Sequence, residues 1–177
     1  MREKVTETRL QEFMEALGRE ARVAARVYLV GGATAVLFGW RDSTIDIDLK
    51  ASPDTDQILK SLPELKERLH INVELASPSD FIPELPGWSE RSQFIKQVGQ
   101  IAFFHYDFYA QALAKIERGH DADVRDVREM IRNRLVEPGR LLELFSQIES
   151  QIYKYPAIDP TSFRTAVEKF VEEHTVN

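Results

Sequence analysis

The sequence predicts an α+β fold in which a small mixed β-sheet with flanking helices is followed by a helical C-terminal part. In the first part of the chain, short strand-like apolar runs are interspersed with segments of helical periodicity. From Asp107 onward, apolar residues recur at helical spacing only. The chain has 177 residues, the length of one domain or of one domain with a helical extension. We therefore expect a core with an N-terminal helix over residues 1–106 and a helical region over residues 107–177.

The elements of the core are predicted from apolar periodicity, strict alternation, and glycine and proline as breakers. In chain order they are a helix over about residues 3–24, a strand at Val27–Val30, a short buried helix at Ala33–Phe38, a strand at Thr44–Leu49, a helix through Ile58 and Leu62, a strand at His70–Ala76, an irregular loop at Pro78–Trp88, and a hairpin around Gly99-Gln100. Ser52 or Asp54 is expected to cap the second long helix, and Pro63 to restart it.

Four further helices are predicted after Asp107. Their apolar residues fall in Leu113–Ile116, in Val124–Leu135, in Leu141–Ile148 after a proline, and in Phe163–Phe170 after Asp159-Pro160.

Composition excludes several classes of function. Apolar residues make up 43% of the chain, enough for a real core, and the net charge of −6 argues against a broad nucleic-acid surface while leaving room for a local basic patch. The absence of cysteine removes disulfides, thiolate nucleophiles and thiolate metal sites. No apolar run reaches the roughly 18 residues of a membrane span, and the charged start lacks the apolar core of a signal peptide. We therefore expect a cytoplasmic protein that does not associate with membranes.

Two aspartates interrupt an apolar strand, although aspartate is unfavourable there. Asp46 and Asp48 alternate with the apolar residues of Ile45–Leu49, so both carboxylates share the opposite face, roughly 7 Å apart. Glu74, on the strand that begins at His70, joins them if the two strands lie side by side. Three such carboxylates need cations to stay ionised together, and Mg²⁺ prefers oxygen ligands, including substrate phosphates. Two ions would activate an attacking oxygen and stabilise a leaving one; a solvated strand face is the alternative.

The pair Gly31-Gly32 lies between a predicted strand and a predicted helix. Such a step exposes backbone N–H groups at a helix N-terminus, where they can bind an anion such as a triphosphate. Gly32 also lets the backbone approach a ligand closely. An ordinary tight turn is the alternative.

These features together resemble a known family. Gly31-Gly32, the short helix, and the stretch Arg41-x-x-Thr44-x-Asp46-x-Asp48 resemble the nucleotidyltransferase superfamily with the DNA polymerase beta-like fold. The match is strongest for its small bacterial branch near the abortive-infection AbiE-type toxins. The resemblance implies that the glycine pair opens a helix that holds the nucleotide phosphates. It also implies that the two aspartates bind Mg²⁺ and that a carboxylate on a later strand completes the site.

The resemblance also suggests roles for single residues. Glu74, in the stretch His70-Ile-Asn-Val-Glu-Leu, is the best match to the third carboxylate, with Asp80 as the second choice. Arg41 and Thr44 precede the aspartates in the motif and are candidates for binding the nucleotide phosphates. Arg41 either pairs with Asp46 or a phosphate, or lies in solvent.

A second stretch resembles the Lys-then-Asp motif in the helical part of that branch. Lys115, in the segment from Gln111 to Arg118, is followed by Asp123-x-x-Asp126. Lys115 either contacts a triphosphate or lies on a solvated helix face. Asp123 sits near a helix start, where the helix dipole favours an acid. Asp126, one turn later, leaves a paired role open.

The sequence thus predicts a nucleotidyltransferase that uses two Mg²⁺ ions. It would move a nucleoside monophosphate from a nucleoside triphosphate (NTP) to a hydroxyl of an RNA end such as that of tRNA, of a protein, or of a small molecule. A cognate antitoxin is a further candidate partner. Two other functions stay open: a non-catalytic nucleotide-binding or toxin–antitoxin interaction module of the same fold, and a metal-dependent phosphodiesterase. The glycine pair before Asp-x-Asp favours transfer over hydrolysis.

Overall fold

The computed structural model of the chain describes residues 2–53 and 56–175. Its residues form two compact units, one of Met1–Ser77 with Ser92–Tyr106 and one of Pro78–Arg91 with Asp107–Asn177. The segment Pro78–Arg91, which we expected in the core of residues 1–106, is therefore grouped with the helical unit. Asp54, one of the two predicted helix caps, lies outside the described residues.

The helices and strands follow the predicted order. They are α1 (Glu7–Glu20), β1 (Ala25–Val30), α2 (Gly32–Phe38), β2 (Asp46–Ser52), α3 (Asp56–Leu69), β3 (Asn72–Leu75), α4 (Trp88–Arg91), β4 (Gln93–Val98), β5 (Ile101–His105), α5 (Phe108–Arg118), α6 (Asp121–Arg132), α7 (Pro138–Ile148) and α8 (Pro160–His174), with 3₁₀ turns at Pro78–Asp80 and Glu149–Lys154.

One sheet of five strands, in the order β3-β2-β1-β5-β4, organises the first unit. The outer pairs differ, since β3 runs parallel to β2 and β4 runs antiparallel to β5. In the middle, β1 is antiparallel to β2 and parallel to β5. The predicted α+β class with a small mixed sheet is confirmed.

The hydrophobic core lies on one face of this sheet. Side chains of α1, α2 and α3 pack there against alternate residues of the strands, among them Ile47 and Leu49 of β2 and Phe103 of β5. The intervening residues of each strand point to the other face. Asp46 and Asp48 therefore lie on the face that turns away from the core.

A backbone bridge changes the predicted start of two elements. Val5 and Thr44 exchange two hydrogen bonds, of 2.7 and 2.9 Å, so Val5 is extended and the first helix begins only at Glu7. On the other side of the bridge the chain bends at Ile45, and β2 begins at Asp46. The prediction that Ile45 shares the buried face was wrong, since its side chain is 70% exposed.

The second long helix also differs from the prediction. Helix α3 continues through Pro63 rather than restarting there. Pro63 is on the exposed side of the helix, where water can bind the carbonyl oxygen that a proline leaves without a backbone donor. Ser52, the other predicted cap, is instead the last residue of β2.

The second unit is helical throughout its regular elements, and the four predicted C-terminal helices are α5 to α8. Asp159 caps α8 by accepting a hydrogen bond from the backbone N–H of Ser162, and the rings of Phe145 and Phe163 pack edge to face between α7 and α8. The segment predicted as an irregular loop contains a 3₁₀ turn and the start of α4. None of the helices within residues 2–53 and 56–175 combines the length and the apolar character of a membrane span.

Candidate active site: an acidic sheet face beside a glycine turn

The parallel pairing of β2 with β3 brings the predicted carboxylates together. In this register Asp48 lies opposite Glu74, and Asp46 lies opposite Asn72. Residues opposite each other in a sheet point to the same side. The expectation that the strand of Glu74 lies beside that of the aspartates is confirmed. We call Asp46, Asp48 and Glu74 the acidic face.

Asn72 connects two members of the acidic face. Its side-chain amide donates one hydrogen bond to Oδ1 of Asp46, at 2.7 Å, and another to Oε1 of Glu74, at 2.9 Å. Sequence reasoning did not single out Asn72. Its position two residues before Glu74 on the same strand is the signal that could have found it.

The carboxylates share a face without converging on one point. Among the residues that the structure describes, no group of three or more histidine, aspartate or glutamate side chains is placed to hold a metal ion. A metal site formed by all three of Asp46, Asp48 and Glu74 is therefore not preformed. Their chemistry nevertheless suits a hard cation, since every donor is a carboxylate oxygen.

Gly31 places the turn after β1 next to the acidic face. Its backbone has φ +66° and ψ −123°, a conformation that side-chain-bearing residues rarely adopt. A Cβ atom on Gly31 would lie 3.6 Å from Oδ2 of Asp48. The glycine turn and the aspartate are thus close neighbours.

Gly32 makes room for a threonine side chain. A Cβ atom on Gly32 would lie 2.0 Å from Oγ1 and 2.7 Å from Cβ of Thr44. The Thr44 hydroxyl in turn donates a hydrogen bond of 3.3 Å to the carbonyl oxygen of Asp46. The tight-turn interpretation therefore has a clear basis, while phosphate binding by the glycines and Thr44 stays a prediction.

A buried histidine fixes the helix that follows the glycine turn. His105, at the end of β5, shares a hydrogen bond of 3.0 Å between its Nδ1 atom and the hydroxyl of Thr34 on α2. Its ring packs 4.8 Å from that of Phe38 on the same helix. Burial lowers the pKa of His105 to about 4, so the imidazole is neutral at physiological pH. The sequence alone assigned His105 no role in the site.

The predicted Lys-then-Asp motif forms a buried ion-pair cluster in the helical unit. Lys115 of α5 lies 2.9 Å from Oδ2 of Asp126 and 3.6 Å from Oδ1 of Asp123, both on α6. Arg118 holds Asp123 with two hydrogen bonds, of 2.6 and 2.8 Å. The solvated helix face, one of the two predicted alternatives for Lys115, is wrong, since its side chain is only 11% exposed. A triphosphate contact by Lys115 stays a prediction.

Asp123 remains ionised within this cluster. Burial alone would raise the pKa of Asp123, but the hydrogen bond from Arg118 and the charges of Lys115 and Arg118 outweigh burial and lower it. Its carboxylate also accepts a hydrogen bond of 3.3 Å from the backbone N–H of His120, at the start of α6. The expected helix-start role of Asp123 is thus present, and it is combined with an ion pair.

The structure places the two remaining predicted residues, Arg41 and Asp80, outside the acidic face. Arg41 is half-buried in the connection between α2 and β2. Asp80 is exposed in a 3₁₀ turn of the helical unit, whereas Glu74 lies opposite Asp48. Glu74 therefore remains the better match to the third carboxylate.

A comparison with protein families identifies the chain. The family model described as "Nucleotidyltransferase of unknown function (DUF6036)" matches residues 8–174.

The chain belongs to this nucleotidyltransferase family.

No curated protein and no solved structure matches the chain significantly. Membership of the nucleotidyltransferase family confirms the resemblance to the superfamily, and the AbiE-type branch stays a prediction. The matched range contains the acidic face, the glycine turn and the Lys115 cluster.

Proposed function

We propose that this nucleotidyltransferase family member moves a nucleoside monophosphate from an NTP to an acceptor hydroxyl with the help of Mg²⁺. The observation that carries the proposal is the register that sets Asp48 opposite Glu74, on one face with Asp46 and next to Gly31. Phosphate-bound metal needs clustered oxygen donors, and the phosphate tail needs close backbone approach. The family description supports nucleotidyl transfer in general.

Asp46 and Asp48 are the proposed ligands of two Mg²⁺ ions, and Glu74 is the proposed ligand on the acceptor side. When bound, such ions neutralise phosphate charge and lower the pKa of an attacking hydroxyl. Asn72 donates to one oxygen of Asp46 and to one oxygen of Glu74. The second oxygen of each carboxylate is the proposed donor to an ion, so Asn72 can keep both hydrogen bonds and orient the two side chains.

The reaction we propose balances without a redox partner. The acceptor oxygen forms a bond to the α-phosphorus. The bond between the α-phosphorus and the α,β-bridging oxygen breaks, and pyrophosphate leaves with that oxygen. The acceptor proton passes to Glu74 or to water. The chain contributes mainly position and charge, as is usual in phosphoryl transfer. Backbone N–H groups at Gly31 and Gly32 and the guanidinium of Arg41 are the proposed contacts of the phosphate tail.

The finer details rest on the resemblance seen in the sequence. We propose that the acceptor is an RNA end such as that of tRNA, with a protein side chain or a small molecule as the alternatives. The AbiE-type resemblance also makes a cognate antitoxin a candidate partner. A non-catalytic module and a phosphodiesterase are the competing functions, and one assay separates them.

The assay incubates the protein with Mg²⁺, each NTP labelled at the α-phosphate, and either total RNA or cell lysate. We expect label to enter an acceptor, with pyrophosphate as the released product. The double variant Asp46→Asn with Asp48→Asn should lose transfer by at least about a thousandfold, because metal ligands act on the reacting phosphate itself. Asp42→Asn is the matched control, since Asp42 is an exposed aspartate four residues before Asp46.

Each other result selects another function. Release of nucleoside monophosphate without a labelled acceptor would identify a hydrolase. Absence of label transfer and of hydrolysis, with NTP binding retained, would identify a non-catalytic module. Equal activity of the Asp42 control and the double variant would remove the acidic face from the mechanism.

A further inference from the structure

An in-register row of side chains crosses the sheet beside the acidic face. Lys50 lies opposite Tyr28, Tyr28 opposite Phe104, and Phe104 opposite Phe94. The rings of Tyr28 and Phe104 stack with centroids 5.3 Å apart, and those of Phe104 and Phe94 meet edge to face at 5.6 Å. These contacts place all three rings on one face of the sheet. We call Tyr28, Phe104 and Phe94 the aromatic row.

The aromatic row shares its face with the aspartates. Lys50 alternates along β2 with residues of the buried core, as Asp46 and Asp48 do, so all three point to the same side. Lys50 is two positions from Asp48, roughly 7 Å along the strand. Phe94 is three strands away from β2, roughly 14 Å across the sheet. A ligand on Phe94 thus lies within reach of the acidic face without competing for it.

A cation accompanies the rings. The guanidinium carbon of Arg26 lies 5.4 Å from the centroid of the Phe104 ring, and Arg26 is exposed. Guanidinium groups and aromatic rings are the two kinds of flat surface on which nucleobases stack, and the guanidinium also attracts phosphate. The row therefore offers local positive charge in a chain whose net charge is −6.

The exposed end of the row is small. Phe94 is 60% exposed, while its neighbours Gln93 and Gln97 on the edge strand are polar and exposed. One ring among polar side chains is far below the roughly 800 Å² that each partner buries in a stable protein interface. A single exposed ring, with a guanidinium over the neighbouring ring of Phe104, is however the size of a nucleobase platform.

We propose that Phe94, with Phe104 and Arg26, binds the unpaired bases of single-stranded RNA. This assignment as the acceptor subsite rests on the proposed transferase function, because it places an RNA strand on the face that carries the metal ligands. The stacked nucleotides would precede the RNA end that reacts. Lys50, between the row and Asp48, would contact the phosphates that connect the two positions.

Fluorescence anisotropy with a labelled single-stranded RNA of about 12 nucleotides tests this directly, since one binding module covers roughly 4–16 nucleotides. Mg²⁺ is present and NTP is absent, so no transfer can occur. We expect Phe94→Ala to weaken binding by at least about fivefold, the lower end of the range for loss of one base stack. Phe94→Trp should retain binding, and its indole fluorescence should be quenched by RNA. Arg26→Ala should weaken binding and reduce its salt dependence.

Phe81→Ala is the matched control, because Phe81 is an exposed phenylalanine of the helical unit, 54% exposed, and should leave RNA binding unchanged. The Asp46→Asn, Asp48→Asn double variant should still bind RNA. RNA binding is thus measured independently of nucleotidyl transfer, and failure of the transferase assay would leave it intact. Equal RNA affinity of Phe94→Ala and the parent would overturn the proposal. The proposal would also be overturned if the parent protein did not bind RNA but transferred label to a protein. That result would refute the RNA subsite and still support the transferase function.

Discussion

At the scale of single residues, Asp46 and Asp48 are held in a strand by their neighbours. Ile47 and Leu49 are buried in the core. Their burial fixes β2, the strand that also contains the two aspartates. Their carboxylates then share a face with Glu74, where like charges repel each other. A locally unfavourable arrangement kept by the surrounding fold is typical of functional sites.

The first prediction concerns this repulsion. In metal-free buffer with a chelator, the double variant Asp46→Asn with Asp48→Asn should melt at no lower temperature than the parent, because asparagine keeps the shape and removes two negative charges. Mg²⁺ should raise the melting temperature of the parent by mass action and leave the variant unchanged. Thermal unfolding with and without Mg²⁺ measures both effects. A marked loss of stability in chelator would mean that the bonds of the carboxylates, such as the hydrogen bond from Asn72 to Asp46, outweigh their mutual repulsion.

The second prediction concerns His105. Its pKa is about 4 in the folded chain against 6.5 as the ordinary value, so the unfolded chain binds the proton more tightly between these values. The contribution of His105 to the free energy of unfolding is therefore fully present above the unfolded pKa and is lost as the pH falls. The loss reaches about 2 kcal/mol near pH 5. His105→Gln keeps a polar partner for Thr34 and removes the titration. Urea unfolding across this pH range should give a shallower acid decline for the variant.

Acid titration of carboxylates affects both proteins, so the difference between parent and variant is the informative quantity. Parallel pH profiles of the parent and His105→Gln would show that the histidine is not the source of the acid sensitivity.

At the scale of elements, the glycine turn depends on two different properties of glycine. Gly31 needs its backbone conformation, and Gly32 needs the space that Thr44 occupies. Phosphate binding therefore cannot be tested simply by enlarging Gly32, because a larger residue would also displace the side chain beside Asp46.

The third prediction follows from that contact. Gly32→Ala should cost about 2 kcal/mol of unfolding free energy, as is typical of an overpacked site. The same change in a Thr44→Gly background should cost less than half as much, because the atoms in the way are those of Thr44. Denaturant unfolding of the four proteins in this double-mutant cycle measures the coupling. Equal costs in both backgrounds would show that the turn relaxes without the threonine.

The sequence predicted the order of these elements well, because alternation and helical spacing report which side chains are buried. Long-range pairing is where it failed. No short-range sequence pattern predicts that Val5 pairs with Thr44 and leaves Ile45 at an exposed bend. On α6 the buried positions include Asp123 and Asp126, whereas apolar periodicity pointed to Val124 and Ile131. The partners that permit this burial are Lys115 and Arg118, both on α5.

The candidate site was predictable to the same extent. The glycine pair and the Asp-x-Asp pattern lie within one short stretch, so spacing alone suggested them. The pairing of Asp48 with Glu74 had to be assumed, and the structure supplies it. Strand alternation puts Asn72 on the same face as Glu74, but its role became clear only with its hydrogen bonds to Asp46 and Glu74.

At the scale of the whole molecule, the chain passes between its two units three times, after Ser77, after Arg91 and after Tyr106. A boundary near residue 106 was visible in the sequence because the period of the apolar residues changes there. The excursion Pro78–Arg91 was not visible, since a proline-rich segment has no periodicity that would assign it to either unit.

The fourth prediction tests how this excursion is fixed within the helical unit. Arg91 donates two hydrogen bonds, of 3.1 and 2.8 Å, to Oδ2 of Asp107, which is almost fully buried and caps α5. Arg91→Met should cost about 3 kcal/mol, because it leaves a buried carboxylate without its cation. Arg140→Met, which removes an exposed ion pair with Glu143, should change stability by less than about 0.5 kcal/mol. Similar values for the two variants would refute a structural role of Arg91.

The register between β2 and β3 has a consequence for errors in folding. Along a strand, odd and even positions face opposite ways, so a slip of β3 by one residue would turn Glu74 inward and Val73 outward. Val73 belongs to the core. The mispaired chain would therefore expose the Val73 side chain and would lose Glu74 from the acidic face. A molecule with this defect would be less stable and would therefore unfold more often, which is the state that proteases and chaperones act on. Correct pairing of β2 with β3 thus serves the hydrophobic core and the candidate active site at once.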